Sequence, residues 1–122
     1  FNMITLKTLP TATNQQIFDQ VAKHMLKQGK KSICLGGDGR NTCAYRGEEG
    51  TRCAAGCLIA DAEYTPDMEG KNWFRLIEDK LVPKTNQLLI RDLQYLHDQE
   101  SVEDWRENLR SLAAAYSLEC NF

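Results

Sequence analysis

Apolar residues in the first quarter of the chain return every three or four positions, which predicts an amphipathic helix. The residues of this stripe are Ile17, Phe18, Val21, Met25 and Leu26. Thr13 followed by Gln16 matches a capping box at the start of the helix. Gly29 is suited to end it in a left-handed conformation. The first helix is therefore predicted by a start signal, a periodic face and a stop signal.

Between Ser32 and Cys57 the apolar positions fall in short runs separated by glycine-containing turns. The runs SICL, NTCAY and TRC predict three short strands, and GGDG and RGEEG predict the turns between them. We expect a small antiparallel β-meander with hairpins around residues 36–39 and 47–50. Irregular turns in this segment would place its loops at the surface.

The glycine run Gly36–Gly39 has a second interpretation. It resembles the Gly-Gly-Asp-Gly element of NAD kinases and diacylglycerol kinases over these four residues, which implies phosphate binding. A phosphate-binding glycine loop needs a helix N-terminus after it. The sequence RNTCAYRG that follows is typical of a strand instead. We therefore favour a hairpin turn.

The second half of the chain is predicted to be helical. AAGCLIADAEY indicates a helical turn, and Thr65-Pro66 is expected to start a helix that ends before Pro83. TNQLLIRDLQYLHDQE predicts a third helix, and Ser101 is expected to cap a fourth. An apolar seam with three-and-four spacing follows, suited to a helical hairpin or to a homodimer. The residues of the seam are Val102, Trp105, Leu109, Leu112 and Tyr116.

About four main helices and a small sheet indicate an α+β fold. A length of 122 residues fits a single domain over residues 1–122. We interpret Phe1 and Asn2, which precede Met3, as a cloning remnant. No apolar run reaches the roughly 20 residues of a membrane span, and the first residues are too weakly apolar for a signal peptide. We expect a cytoplasmic protein with no membrane partner.

Acidic and basic residues are unevenly distributed. Residues 1–57 carry four more basic than acidic residues, and residues 58–122 carry six more acidic than basic ones. A pI near 5.7 argues against an overall nucleic-acid footprint. A local basic patch keeps nucleic acid open as an alternative partner. The patch consists of Lys23, Lys27, Lys30, Lys31, Arg40, Arg46 and Arg52.

The five cysteines are expected to be reduced thiols in the cytosol. In an oxidising compartment Cys43 and Cys53 would be the first candidates for a disulfide. Zinc would require four ligands, and Cys34, Cys43, Cys53 and Cys57 are the candidates. Only the last two of these have a spacing that resembles a zinc knuckle. We expect buried thiols and no metal or cofactor.

A cysteine enzyme needs a stabilised thiolate and a base. The charges of Arg46 and Arg52 would lower the pKa of Cys53. His24 and His97 are the two histidines, and we expect both to be solvated surface residues with no catalytic partner. The sequence therefore favours a non-enzymatic protein.

The segment Cys43–Trp73 combines turns, arginines and tyrosines, a composition that is typical of contact surfaces. CAYRG, GTRCAAGCLI, DAEY and MEG within this segment resemble a pattern in short, uncharacterised phage and bacterial proteins. The resemblance covers most of the chain and implies a phage- or prophage-associated cytosolic protein. It transfers no activity and no residue role.

We therefore predict a small non-enzymatic protein-interaction module, with a regulatory or counter-defence role in a phage. Its contact surface would contain Tyr45, Arg46, Arg52 and Tyr64. It would act as a monomer or a homodimer with a protein partner. The alternative is a metal-binding or thiol-dependent protein that uses Cys43, Cys53 and Cys57.

Overall fold

Four α-helices and a two-stranded antiparallel sheet make up an α+β fold. A computed structural model describes residues 3–35 and 41–122. In chain order the elements are α1 (Asn14–Gln28), β1 (Ile33–Leu35), β2 (Asn41–Cys43), α2 (Trp73–Glu78), α3 (Gln87–Gln99) and α4 (Trp105–Ala115). Residues 44–72, between β2 and α2, contain three short 3-10 turns and otherwise irregular backbone. We call these residues the irregular segment.

Helix α1 begins and ends where the sequence predicts. The Thr13 side chain accepts a hydrogen bond from the Gln16 backbone N–H, and the Gln16 side chain accepts one from the Thr13 backbone N–H. This reciprocal pair satisfies two backbone donors that a helix start otherwise leaves free. Gly29 ends the helix at φ 68°, a left-handed conformation that glycine adopts without steric cost.

Within the described residues the sheet has two strands, not the three of the predicted meander. Strands β1 and β2 pair antiparallel, with Cys34 opposite Thr42. The turn predicted at residues 47–50 is present, because the Gly47 N–H donates to the Thr51 carbonyl. The third strand is wrong: the Arg52 N–H and carbonyl bond to side chains of α1 instead of to a strand. The predicted Gly36–Gly39 turn, with its phosphate-binding alternative, lies outside the described residues.

Helix α2 is shorter than predicted. Pro66 opens a separate 3-10 turn, Pro66–Met68, and does not start the helix. Gly70 then takes φ 78°, a conformation that interrupts a right-handed helix. The helix starts after Asn72, whose side chain accepts a hydrogen bond from the Arg75 backbone N–H at 2.9 Å. A cap residue and a glycine therefore override the apolar spacing here.

Helices α3 and α4 form the predicted hairpin within one chain. Trp105 and Leu109 of the apolar seam are buried in the core, and Tyr116 packs against it at the end of the hairpin. Ser101 does not cap α4 as predicted. Its hydroxyl donates to the Asp104 carboxylate at 2.8 Å, before a 3-10 turn that leads into the helix.

All four helices contribute buried side chains to one hydrophobic cluster. Leu58 and Ile59, from the irregular stretch before α2, are also fully buried in this cluster. Within the described residues, no helix combines the length and the apolar character that crossing a membrane requires. The core therefore fixes the irregular segment against the helices, and this places the residues discussed next.

Candidate functional site

Arg46 is the centre of a hydrogen-bond network inside the irregular segment. Its guanidinium donates to the backbone carbonyls of Tyr45, Gly56 and Ile59, at 3.2, 2.9 and 2.6 Å. It also forms an ion pair with Asp61, and its side chain is only 18% exposed. A planar guanidinium can satisfy several carbonyls at once because its donors point in fixed directions. Arg46 therefore links turns that carry no regular secondary structure.

The two tyrosines belong to the same network. The Tyr64 ring lies under the Arg46 guanidinium at 5.0 Å, and its hydroxyl donates to Glu69 at 2.7 Å. Burial, together with this carboxylate, raises the pKa of Tyr64 to about 12. Tyr45 is buried, and its hydroxyl donates to the Lys71 carbonyl at 2.6 Å. Both hydroxyls are thus committed to partners within the chain.

Arg52 completes the set of predicted contact residues. Its guanidinium shares the Asp61 carboxylate with Arg46, at 3.0 Å, and its side chain is about one-third exposed. The structure therefore brings Tyr45, Arg46, Arg52 and Tyr64 together, and their polar groups bond mainly to the protein itself. Their role as a contact surface stays a prediction.

The five cysteines are free thiols, including the pair Cys43 and Cys53 considered for a disulfide. Cys53 and Cys57 are buried at the 3-10 turn Ala55–Leu58, where the Cys53 sulfur accepts from the Gly56 N–H and the Cys57 thiol donates to the Ala54 carbonyl. Burial raises the pKa of Cys57 to about 12 and that of Cys53 further. The lowering of the Cys53 pKa that Arg46 and Arg52 would cause is thus outweighed, because desolvation dominates the environment of this thiol.

Cys43 lies beside two residues that the sequence reasoning missed. Its sulfur, a ring nitrogen of His97 and a carboxylate oxygen of Asp98 all lie within 4.8 Å of one another. Asp98 Oδ1 accepts hydrogen bonds from His97 Nδ1 at 2.8 Å and from Gln94 Nε2 at 2.7 Å. Strand β2 and the end of α3 thus bring a thiol, an imidazole and a carboxylate together.

His97 is fully buried, so its prediction as a solvated residue is wrong. The Ser32 backbone N–H donates to Nε2 at 3.3 Å, and the ring stacks on Trp105 with centroids 5.2 Å apart. Because Nε2 accepts, the ring carries its hydrogen on Nδ1 and donates it to Asp98. The helical spacing from Ile90 and Leu93 could have placed His97 on the buried face of α3.

His24 was also predicted to be solvated and is instead half-buried. Its Nε2 lies 2.8 Å from the Arg52 carbonyl, so it connects α1 to the irregular segment. Burial lowers the pKa of His24 below its ordinary value. Each histidine therefore contributes to the folded structure.

The charges around Cys43 keep its thiol protonated. Desolvation and the neighbouring Asp98 carboxylate raise the pKa of Cys43 to about 12, against a smaller opposing effect of Lys31. Burial alone would raise the pKa of Asp98, but hydrogen bonds from His97, Cys43 and Gln94 lower it overall. At neutral pH the carboxylate is ionised and the thiol is not, so this thiol is no ready nucleophile.

Cys43 and Asp98 line a cleft of about 360 Å³. Residues 42–45 form one wall, residues 70–72 another, and Gln94 with Asp98 the side toward α3. Cys53 also contributes to the lining. Of the four cysteines considered for zinc, Cys43 is the one that joins a group of three metal-ligating side chains among the described residues.

A second candidate surface lies on helices α2 and α3. Four large apolar side chains are exposed among the described residues: Met3, Phe74, Leu88 and Tyr95. Leu88, Arg91 and Tyr95 share one side of α3, three and four positions apart. The Arg91 guanidinium lies over the Phe74 ring of α2 at 5.8 Å. We call Phe74, Leu88, Arg91 and Tyr95 the α2–α3 face.

Comparisons with known proteins add no relative to this description. No protein-family model, curated protein sequence or solved structure matches the chain. The two surfaces described above, the Cys43 cleft and the α2–α3 face, are therefore the basis for proposing a function.

Proposed function

We propose that the protein is a non-enzymatic protein-interaction module that binds its partner through the α2–α3 face. The observation that carries this proposal is the clustering of exposed apolar side chains: three of the four lie on this one face. Single exposed apolar residues are normal on any protein surface. A contiguous group of them, by contrast, is typical of a contact site.

The chemistry of the face supports a protein partner. Aromatic residues and arginine are enriched among the side chains that dominate protein interfaces, and Phe74, Arg91 and Tyr95 supply them here. Tyr95 is 63% exposed and Leu88 is 54% exposed, so both can lose a large solvent-accessible area on binding. A partner with an apolar patch would bury these side chains.

Polar groups border the apolar side chains. Arg91 forms an ion pair with Asp92 at 2.9 Å. Asp92 and Glu100 line a shallow groove between α3 and α4 on the Tyr95 side. Charged side chains therefore lie among and beside the exposed apolar ones, with Arg91 between Leu88 and Tyr95 on α3. Polar and apolar groups are mixed in the same way in many non-obligate interfaces.

The contact surface proposed here differs from the predicted one. Tyr45 is buried and the donors of Arg46 bond to backbone carbonyls, so neither offers an anchor that is free to a partner. The α2–α3 face needs no rearrangement before binding. Resemblance to phage proteins supports a host protein as the partner, with a regulatory or counter-defence role.

The test compares capture of partner proteins by the tagged full chain and by variants of it. Leu88→Asp and Tyr95→Asp each replace an exposed apolar side chain of the face with a charge and are expected to reduce recovery of the partner at least about 10-fold. Met3→Asp is the matched control, because Met3 is as exposed as Tyr95, at 63%, and lies outside the face. It is expected to retain the partner.

Light scattering of the purified chain completes the test. Under the proposal the chain alone is monomeric, and the captured protein is a different one whose binding depends on Leu88 and Tyr95. A dimer that Tyr95→Asp dissociates would identify a second copy as the occupant and overturn the proposal. Equal recovery of every captured protein by wild type and both variants would also overturn it.

A further inference from the structure

The two oxygens of the Asp98 carboxylate differ in their hydrogen bonds. Its Oδ1 accepts from both His97 and Gln94, whereas Oδ2 accepts no N–H or O–H hydrogen bond from the residues that the structure describes. The Cys43 thiol contacts the same carboxylate from the side of the cleft. The Asp98 side chain is 22% exposed and lines the cleft together with Cys43. The Cys43 sulfur and a carboxylate oxygen of Asp98 lie within 4.8 Å of each other there.

The groups behind the carboxylate hold it in place. His97 donates from Nδ1, and its ring is fixed by the Ser32 N–H on one edge and by Trp105 on its face. Gln94 donates through Nε2, and its Oε1 accepts from the Ala55 N–H at 2.8 Å. Hydrogen-bonded partners of this kind orient metal-ligating carboxylates. Asp98 is therefore pre-oriented without further ordering.

We propose that Cys43 Sγ and Asp98 Oδ2 bind one divalent transition-metal ion, with Zn²⁺ as the best-fitting probe. A thiolate and a carboxylate together suit Zn²⁺ or Co²⁺, whereas Mg²⁺ and Ca²⁺ prefer oxygen ligands alone. His97 is a positioning residue and not a ligand, because both of its nitrogens are engaged. The remaining coordination positions face the cleft and are filled by water or by a ligand of the cleft.

Binding of the metal ion releases one proton. The Cys43 S–H bond breaks, its proton goes to solvent, and the thiolate sulfur forms a bond to the metal. The Asp98 carboxylate is already ionised, so it contributes its charge without losing a proton. Two negative ligands then neutralise the two positive charges of the ion. No oxidant or reductant takes part, and metal affinity is expected to rise with pH.

The experiment titrates the purified full chain with Co²⁺ and then displaces it with Zn²⁺. A thiolate ligand gives Co²⁺ an intense near-ultraviolet absorption that oxygen and nitrogen ligands do not give. We expect this absorption to saturate at one ion per chain, with one proton released per ion in a weakly buffered indicator solution. Zn²⁺ is expected to abolish the absorption by competition.

Variants separate this site from the other thiols. Cys43→Ser is expected to remove the absorption, and Cys43 is exposed, so this variant is expected to fold. Cys34→Ser is the matched control on the paired strand β1 and is expected to keep it. His97→Gln is expected to keep the absorption while weakening binding about 10–100-fold, as loss of a positioning partner does. Circular dichroism checks the fold of each variant.

Four results would overturn the proposal. They are no thiolate absorption with the wild-type chain, an absorption that persists in Cys43→Ser, binding without release of a proton, and unchanged affinity in Asp98→Asn. The cleft and the α2–α3 face are different surfaces, so failure here leaves the proposed interaction function standing, and the reverse also holds.

Discussion

The irregular segment between β2 and α2 and the α3–α4 hairpin are both well packed, but by different means. The hairpin is held by apolar side chains at helical spacing, such as Trp105 and Leu109. The segment also places side chains such as Leu58 in the core, but its turns are linked by polar side chains, above all the partly buried Arg46, which donates to three backbone carbonyls. In helices and sheets the backbone N–H and C=O groups bond to one another, whereas in irregular segments many of them need side chains as hydrogen-bond partners.

This difference explains why the hairpin is easier to predict from the sequence than the irregular segment. Arginine and tyrosine in a turn-rich stretch indicate a contact surface by composition. The same residues are also the ones able to fasten turns, because they carry rigid donors on long side chains. In this protein Arg46 does the second, and Tyr45 is buried with it. Composition alone does not distinguish these two uses.

The largest expected effect is in the hairpin. Trp105→Ala removes a fully buried indole that also covers His97. We expect it to lower the free energy of unfolding by about 4 kcal/mol, because it leaves a large cavity. Urea unfolding followed by circular dichroism measures the change. Tyr95→Ala, on the exposed side of α3, is the control and should change it by less than about 0.5 kcal/mol. Similar values for the two would contradict apolar packing as the basis of the hairpin.

The next effect is in the irregular segment. Arg46→Ala removes the guanidinium donor from the Tyr45, Gly56 and Ile59 carbonyls, of which the Gly56 carbonyl keeps the Ile59 N–H. We expect a loss of about 3 kcal/mol, most of it from unsatisfied backbone groups. Arg52→Ala is the control in the same urea experiment, because the Arg52 side chain shares the Asp61 ion pair and donates to no carbonyl of the residues that the structure describes. It should cost less than about 1 kcal/mol. If Arg46→Ala proves as mild as Arg52→Ala, the segment does not depend on this guanidinium.

The smallest expected effect is on the pH dependence of stability, through His24 at the contact between α1 and the irregular segment. Burial lowers the pKa of His24 in the folded state. Its contribution to stability is therefore present above its unfolded pKa of about 6.5 and is lost as pH falls through the lower folded value. Urea midpoints from about pH 7 to about pH 5 should fall less for His24→Gln than for wild type. Parallel curves for the two proteins would show that His24 takes no part.

Much of the fold is predictable from local patterns. The capping box, the left-handed glycine and the seam of α4 are each encoded within a few residues, and all three are confirmed. The third strand and the start of α2 are wrong for a shared reason. The Arg52 N–H, which the pattern assigned to a strand, donates to the Gln28 side chain of α1. The Arg75 N–H donates to the Asn72 side chain, so the helix begins after Asn72 and not at Pro66.

The candidate site is harder to predict because it joins distant parts of the chain. Cys43 was a candidate, but the sequence gives no sign that it meets His97 and Asp98, more than fifty positions later. Only the helical phase of α3 hinted that His97 is buried. Which thiol is accessible likewise depends on packing: Cys53 and Cys57 lie in the core, and Cys43 lies at a cleft.

The stacking of Trp105 on His97 gives the protein a built-in optical reporter. The indole touches the imidazole, the imidazole bonds to Asp98, and Asp98 lines the cleft. An event that moves the carboxylate thus reaches a fluorophore through a single intervening ring. We therefore expect occupancy of the cleft to change the emission of Trp105, against the background of the other buried tryptophan, Trp73.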